Sequence, residues 1–166
     1  MEDSYRSNLI EFSLIYLNKE FDNLDKAEFS SDKFAYYIYK QLFDIDIEST
    51  GYGQDQSTKE MTNDIGDLKI YNKNDPQKDK YLQDINKGDL VFFHTKSLDC
   101  NSPTPSNYYP GHVGIYLGNK KFIHVSLNEN KIVIDTLEEK WLNILIASRD
   151  IIKQLVNNKD YVNNLI

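Results

Sequence analysis

Three short runs decide how this chain reads: Gly88-Asp89-Leu90-Val91-Phe92-Phe93, then Gly111-His112-Val113-Gly114-Ile115-Tyr116-Leu117-Gly118, then Lys121-Phe122-Ile123-His124-Val125-Ser126. The first is a brief apolar block opened by a Gly-Asp turn signal, the pattern of a fully buried strand. In the second, Val113, Ile115 and Leu117 take one face and His112, Gly114 and Tyr116 the other, because side chains on a strand alternate with a period of two. The third repeats that alternation after a turn at Gly118-Asn119-Lys120. Whether the two imidazoles share a face then depends on loop parity. A two-residue loop at Asn119-Lys120 pairs His124 with Ile115 and separates them. A three-residue loop through Lys121 pairs His124 with Tyr116 and unites them.

Working outward, Ile132 to Asp135 and Ile144 to Ser148 supply two more short strands, so the second half reads as mostly antiparallel sheet. The first half is helical. Tyr5 to Asn18 gathers Leu9, Ile10, Phe12, Ile15, Tyr16 and Leu17 at helical spacing, with Glu2, Asp3 and Ser4 as start signals. Phe34, Ala35, Tyr37, Ile38, Gln41 and Leu42 predict a second amphipathic helix from Ser31 onward. Between Asp44 and Lys87 the chain turns polar, with Ser57-Thr58-Lys59-Glu60 as a capping box before a short helix. Ile151 to Ile166 predicts a closing helix. Helices first and strands afterwards imply an α+β architecture of about five to six strands, not a doubly wound parallel sheet. Residues 1–152 form the domain, and 153–166 add a helical extension to the same unit.

With 166 residues, a single compact core is expected. Twenty-six acids against nineteen bases leave a formal charge of -7, so nothing supplies the phosphate attraction of a nucleic-acid binder. The longest apolar stretches fall far short of the roughly 20 residues of a membrane span. No secretory signal is readable at the N-terminus, so the expectation is a cytoplasmic chain as written, or a secreted or cell-wall one if it has been trimmed. Cys100 is the only cysteine, which excludes an internal disulfide. It lies in the long Thr95–Gly111 loop, away from any helix start that would depress a thiol pKa.

Imidazole chemistry has three places to sit. His94 ends a strand beside Thr95 and Lys96 and reads as a solvated surface residue. His112 and His124, on adjoining strands, could act as a base and the residue that orients it. They could also bind a metal, but no carboxylate or cysteine stands at a matching position nearby, so no metal site is expected.

These residues resemble the NlpC/P60 cell-wall peptidases: Gly88 to Phe93, His112 to Asn119 and Phe122-Ile123-His124 occur in that family's order and spacing. Asn8 to Phe21 is similar to its first helix, and Ser148-Arg149-Asp150-Ile151 to its closing segment, so the likeness covers most of residues 5 to 152. The resemblance implies a papain-like α+β fold and cleavage of peptide bonds in peptidoglycan stems by a cysteine at a helix start, with no cofactor. It assigns the catalytic base to His112 and the orienting residue to His124. The family's Phe-Asp-Cys-Ser-Gly-Phe is matched by Phe29-Ser30-Ser31-Asp32-Lys33-Phe34, so Ser31 occupies the nucleophile position. Phe21 stands where the family has a tyrosine. Phe21, Asp32, Tyr108, Tyr109 and Gly111 are the expected substrate-binding residues.

A serine hydroxyl is not held ionised by a helix dipole and an imidazolium as a thiol is. It must lose its proton during attack, to a well-aligned base. Serines before an apolar-periodic run, with Asp32 in the first turn, also make a good helix start, worth on the order of 1 kcal/mol. The expectation is therefore a degenerate NlpC/P60-like domain whose cleft binds a stem peptide, a wall fragment or a protein partner. The alternatives are a hydrolase using Ser31, a Cys→Ser replacement introduced into a working enzyme, or an interaction protein acting through the 95–111 loop with Tyr108 and Tyr109 at its rim.

Overall fold

The structure is a computed structural model, and it describes residues 1–20, 31–45, 47, 66–71, 78–93, 112–126 and 128–164. In chain order these form α1 (Glu2–Leu14), α2 (Ser31–Phe43), β1 (Asp67–Ile70), a 3-10 helix (Lys78–Asp84), β2 (Leu90–Phe93), β3 (His112–Gly118), β4 (Lys121–Ser126), β5 (Lys131–Thr136), α3 (Glu139–Ile144), β6 (Leu145–Asp150) and α4 (Ile152–Asn164). The six strands make one antiparallel sheet in the order β1-β6-β2-β3-β4-β5. The fold is α+β, as the sequence implied.

Strand alternation splits the core in two. On one face Leu90, Phe92, Val113, Ile115, Ile123 and Val125 pack under α2 through Phe34, Ala35 and Ile38, with Leu9 of α1 and Val156 of α4 closing the layer. On the other, Val91, Phe93, Tyr116 and Phe122 meet Leu142 of α3, Leu145 and Ile85, with Trp141 and Tyr81 packed against them. The sheet is thus buried on both sides, which is why Leu90-Val91-Phe92-Phe93 is uniformly apolar.

A buried ionic cluster pins α1 to the strand ends. Arg6 donates to Asp89 at 3.1 Å, to Asp150 at 2.8 Å and to Glu2 at 2.6 Å, and also to the Lys87 carbonyl at 2.9 Å. Burial, reinforced by the neighbouring Asp150 charge, pushes the Asp89 carboxyl up to about 7 despite the guanidinium beside it. Asp150 also accepts from the Lys153 amide at 3.1 Å, so one carboxylate serves the ion cluster and the first turn of α4.

Several boundaries differ from the sequence reading. The first helix stops at Leu14, not Asn18. Ser13 Oγ donates back to the Leu9 carbonyl, and the Tyr16 and Leu17 amides bond three residues back. Asn18 then turns left-handed at φ 65° and sends its amide to Ile132 of β5. Ile144 closes a short helix instead of opening a strand, and β6 runs from Leu145 to Asp150. Strand β1 and the 3-10 helix were not foreseen. The capping box at 57–60, His94, Cys100 and the 95–111 loop lie outside the described residues.

Candidate active site

His112 opens β3 and His124 sits within β4, and the way these strands join determines the site. The connection is a two-residue turn, with Gly118 opposite Lys121 and both Asn119 (φ 51°) and Lys120 (φ 63°) left-handed, as a type I′ turn requires. Taken alone, that turn would place the imidazoles on opposite faces. A register shift at Leu117 corrects it: Tyr116 pairs with Phe122 and Ile115 with Ile123. Continuing that register sets His124 across from Gly114, on the face of His112. Neither register weighed from the sequence is the one adopted, because a bulge supplies the parity expected from a third loop residue.

Gly114 is what lets the strands close there. A Cβ at this position would lie 2.7 Å from Phe122 Cδ2, 3.1 Å from the Ile123 carbonyl oxygen and 3.4 Å from His124 Cβ. In the space left, His112 Nε2 and His124 Nδ1 come within 2.7 Å. On the far side His124 Nε2 lies 2.6 Å from Asp135 Oδ2 of β5. Asp135 pairs with Phe122, and His124 with Val133, so Asp135 reaches His124 diagonally across the same face. This overturns the expectation that no carboxylate stands near the two histidines. Period-two alternation from Val133, with the tight turn at 128–130, is the signal that could have found Asp135.

Aromatic rings enclose the pair. Trp141 of α3 lies 5.7 Å from the His112 ring and 5.1 Å from that of His124, with Phe122 4.7 Å from His124 and Phe93 6.1 Å from His112. His124 is 2% exposed. Burial, with a smaller contribution from the adjoining His124, lowers His112 to about 3. Burial lowers His124 as well, against the opposing pull of Asp135. Both rings are therefore neutral at neutral pH. Trp141 has no sequence signal beyond its place in a short apolar run.

Ser31 is the first residue of α2, the helix that packs against β3 and β4. The Ser31 and Asp32 side chains, and Phe21, Tyr108, Tyr109 and Gly111, lie outside the described residues. Of the expected site residues, His112 and His124 are the pair whose side chains are described, and they are brought together. Among the described residues no group of three His, Cys, Asp or Glu side chains could hold a metal ion, and no helix is long and apolar enough to cross a membrane.

Helices packed on a six-stranded antiparallel sheet, with an imidazole pair carried on β3 and β4, make a papain-like α+β domain. The NlpC/P60 family profile matches residues 21–149, and the chain belongs to that family. A probable endopeptidase NlpC homolog of Haemophilus influenzae is 35% identical over 69 residues, 41% of this chain and 30% of that protein. The match thus spans under a third of that relative's length. Among solved structures, an NlpC/P60 family protein from Bacillus cereus aligns with TM-score 0.59 at 18% identity, covering 89% of this chain and 40% of that one. The NlpC/p60 domain of the peptidoglycan hydrolase SagA gives 0.54 at 17%, covering 87% and 97%. NlpC1 of Trichomonas vaginalis gives 0.58 at 20%, covering 88% and 44%. At these identities the structural likeness shows the fold, and the family match relates the chain to peptidoglycan hydrolases.

Proposed function

We propose that this chain is a binding-competent, catalytically degenerate NlpC/P60 domain. Its cleft takes a peptidoglycan stem peptide, or a protein segment of similar chemistry, and Ser31 stands where a nucleophilic thiol would be needed. The observation that carries the reading is the packing of Trp141, Phe122 and Phe93 around the imidazole pair, where burial lowers the proton affinity of His112. General-base catalysis is worth about 10²- to 10⁴-fold when the base is matched to its task, near the working pH. A thiol, with a pKa near 8.5, needs little help to ionise at a helix start. An alcohol needs a strong base throughout its attack, and a ring this reluctant to accept a proton is poorly suited to it. In this reading, residues 1–152 and the 153–166 extension act as one unit, since Ile152 and Val156 are buried in the same cluster as Leu9.

Muropeptides incubated with the chain and followed by mass spectrometry and calorimetry test the proposal. The chain is expected to bind without cleaving. Ser31→Cys should cleave, and His112→Ala added to it should stop cleavage. Cleavage by the unsubstituted chain that depends on His112 would refute degeneracy.

One observation favours a second reading, a hydrolase that uses Ser31 directly: the Asp135 carboxylate behind His124 would stabilise an imidazolium formed during attack. A fluorophosphonate probe separates the two readings, since an activated Ser31 would be labelled and a helix-opening Ser31 would not.

A further inference from the structure

We propose that Asp135 is a positioning residue for His112, acting through His124: it fixes both imidazoles in the tautomer that leaves His112 Nδ1 as the bare, proton-accepting nitrogen. The inference rests on the reading above only in taking His112 as the base of the site. Its chemistry follows from which atoms can donate. An ionised carboxylate accepts and cannot donate, so at 2.6 Å from Asp135 Oδ2 the His124 Nε2 must carry a proton. A neutral imidazole has one N–H, so His124 Nδ1 is then an acceptor. The 2.7 Å contact to His112 holds one hydrogen, and it can come only from His112 Nε2. His112 Nδ1 is left with its lone pair.

The reverse polarity fails at its outer end. Were His112 protonated on Nδ1, its Nε2 would accept from His124 Nδ1, and His124 Nε2 would set a lone pair against the carboxylate. A doubly protonated His124 would donate at both nitrogens and likewise convert His112 to the Nδ1–H form, removing the base. Burial of His124 opposes that state. Among the described residues, the charged and titratable groups facing the pair are Asp135 on β5, Glu129 in the β4–β5 turn, and the two rings themselves, with the Lys140 ammonium of α3 over the Trp141 ring at 5.6 Å. The two rings, coupled this tightly, titrate as a pair.

Nitrogen-15 NMR of the histidine rings reads tautomers directly, with no peptide present. At neutral pH both rings should be Nε2–H. Asp135→Ala should lose the single tautomer on both rings, Asp135→Asn should give a mixture because its amide can either donate or accept, and Asp135→Glu should restore the native form. Removing the carboxylate should also move the pair's apparent pKa further down, since Asp135 holds it up. A merely structural loss would rehydrate the rings and move it up towards 6.5. An Nδ1–H His112 in the native chain, unchanged tautomers in Asp135→Ala, or an upward shift would each overturn the proposal, and the first needs no variant to fold. Failure of the peptide-binding reading would show in the muropeptide experiment with the tautomers intact, whereas failure of the relay would show in the spectra with peptide binding intact.

Discussion

Replacing Gly114 by alanine is the sharpest perturbation of the site, because one methyl group enters where two strands and an imidazole already meet. The added carbon would sit 2.7 Å from Phe122 Cδ2, about 1 Å inside ordinary carbon–carbon contact. Phe122 cannot swing away: it is fully buried, with Phe93 at 4.9 Å, Trp141 at 5.0 Å and His124 at 4.7 Å around it. The second neighbour, the Ile123 carbonyl oxygen at 3.1 Å, is backbone. Strand β4 must therefore shift, at the ~1–3 kcal/mol typical of overpacking. At about 2–4 °C per kcal/mol for a chain of this size, Tm should fall by roughly 2–12 °C. The same shift pulls apart the 2.7 Å contact between the imidazoles. Calorimetry gives the first effect and histidine NMR the second. Phe122→Leu, which clears space for the methyl, should cost less in the Gly114→Ala background than alone. A Tm within about 1 °C of the native value, with unaltered imidazole signals, would show that the strands are not in the contact described here.

Arg6→Met should cost about 3–5 kcal/mol in urea denaturation, because Asp89 and Asp150 would be left buried and unpaired. Stability should depend on pH through His112: its folded pKa lies below its unfolded 6.5, so its contribution is complete above pH 6.5 and is lost as pH falls towards 3, at up to about 1.4 kcal/mol per pH unit. Asp89, raised from 3.8 to about 7, has the opposite sign, contributing below pH 3.8 and losing that contribution as pH rises through 7. Between pH 3.8 and 6.5 the two oppose each other, so Asp89→Asn should unmask a limb that rises with pH in denaturation midpoints. Trp141→Ala should rehydrate both rings and move the pair's apparent pKa up towards 6.5, read from the histidine Cε1 proton signals.

What the sequence made legible was whatever one strand or one helix determines by itself. Leu90 to Phe93 could only be a buried strand, and α2 begins at the expected Ser31. What it hid depends on pairing between segments. Leu117 looks like any core-facing strand residue, yet it absorbs the register shift that unites the imidazoles. Asp135 reads as the polar end of a strand until β5 is laid against β4 in register. Nothing local marks Arg6, around whose guanidinium Glu2, Asp89 and Asp150 gather, two of them from beyond residue 80. Strand β1 is only four residues long and, among the described residues, pairs with β6, some eighty positions later, so local periodicity carries almost no information about it.

The relay and Ser31 pull the chemistry in different directions. Asp135, His124 and His112 are joined by two short hydrogen bonds, an order that orients a base well. Trp141, Phe122 and Phe93 surround the same rings with apolar surface, which makes that base weak. Orientation without strength suits a partner that ionises on its own, as a thiol at a helix start does, because the imidazole then needs only to accept a proton already loosely held. Offered an alcohol, the same imidazole must drive an unfavourable proton transfer from within an environment that resists its charge. On the proposed reading it is the mismatch between a hydroxyl at position 31 and a weak, enclosed base that would separate binding from hydrolysis, and restoring sulfur there should recover more activity than strengthening the base around Ser31.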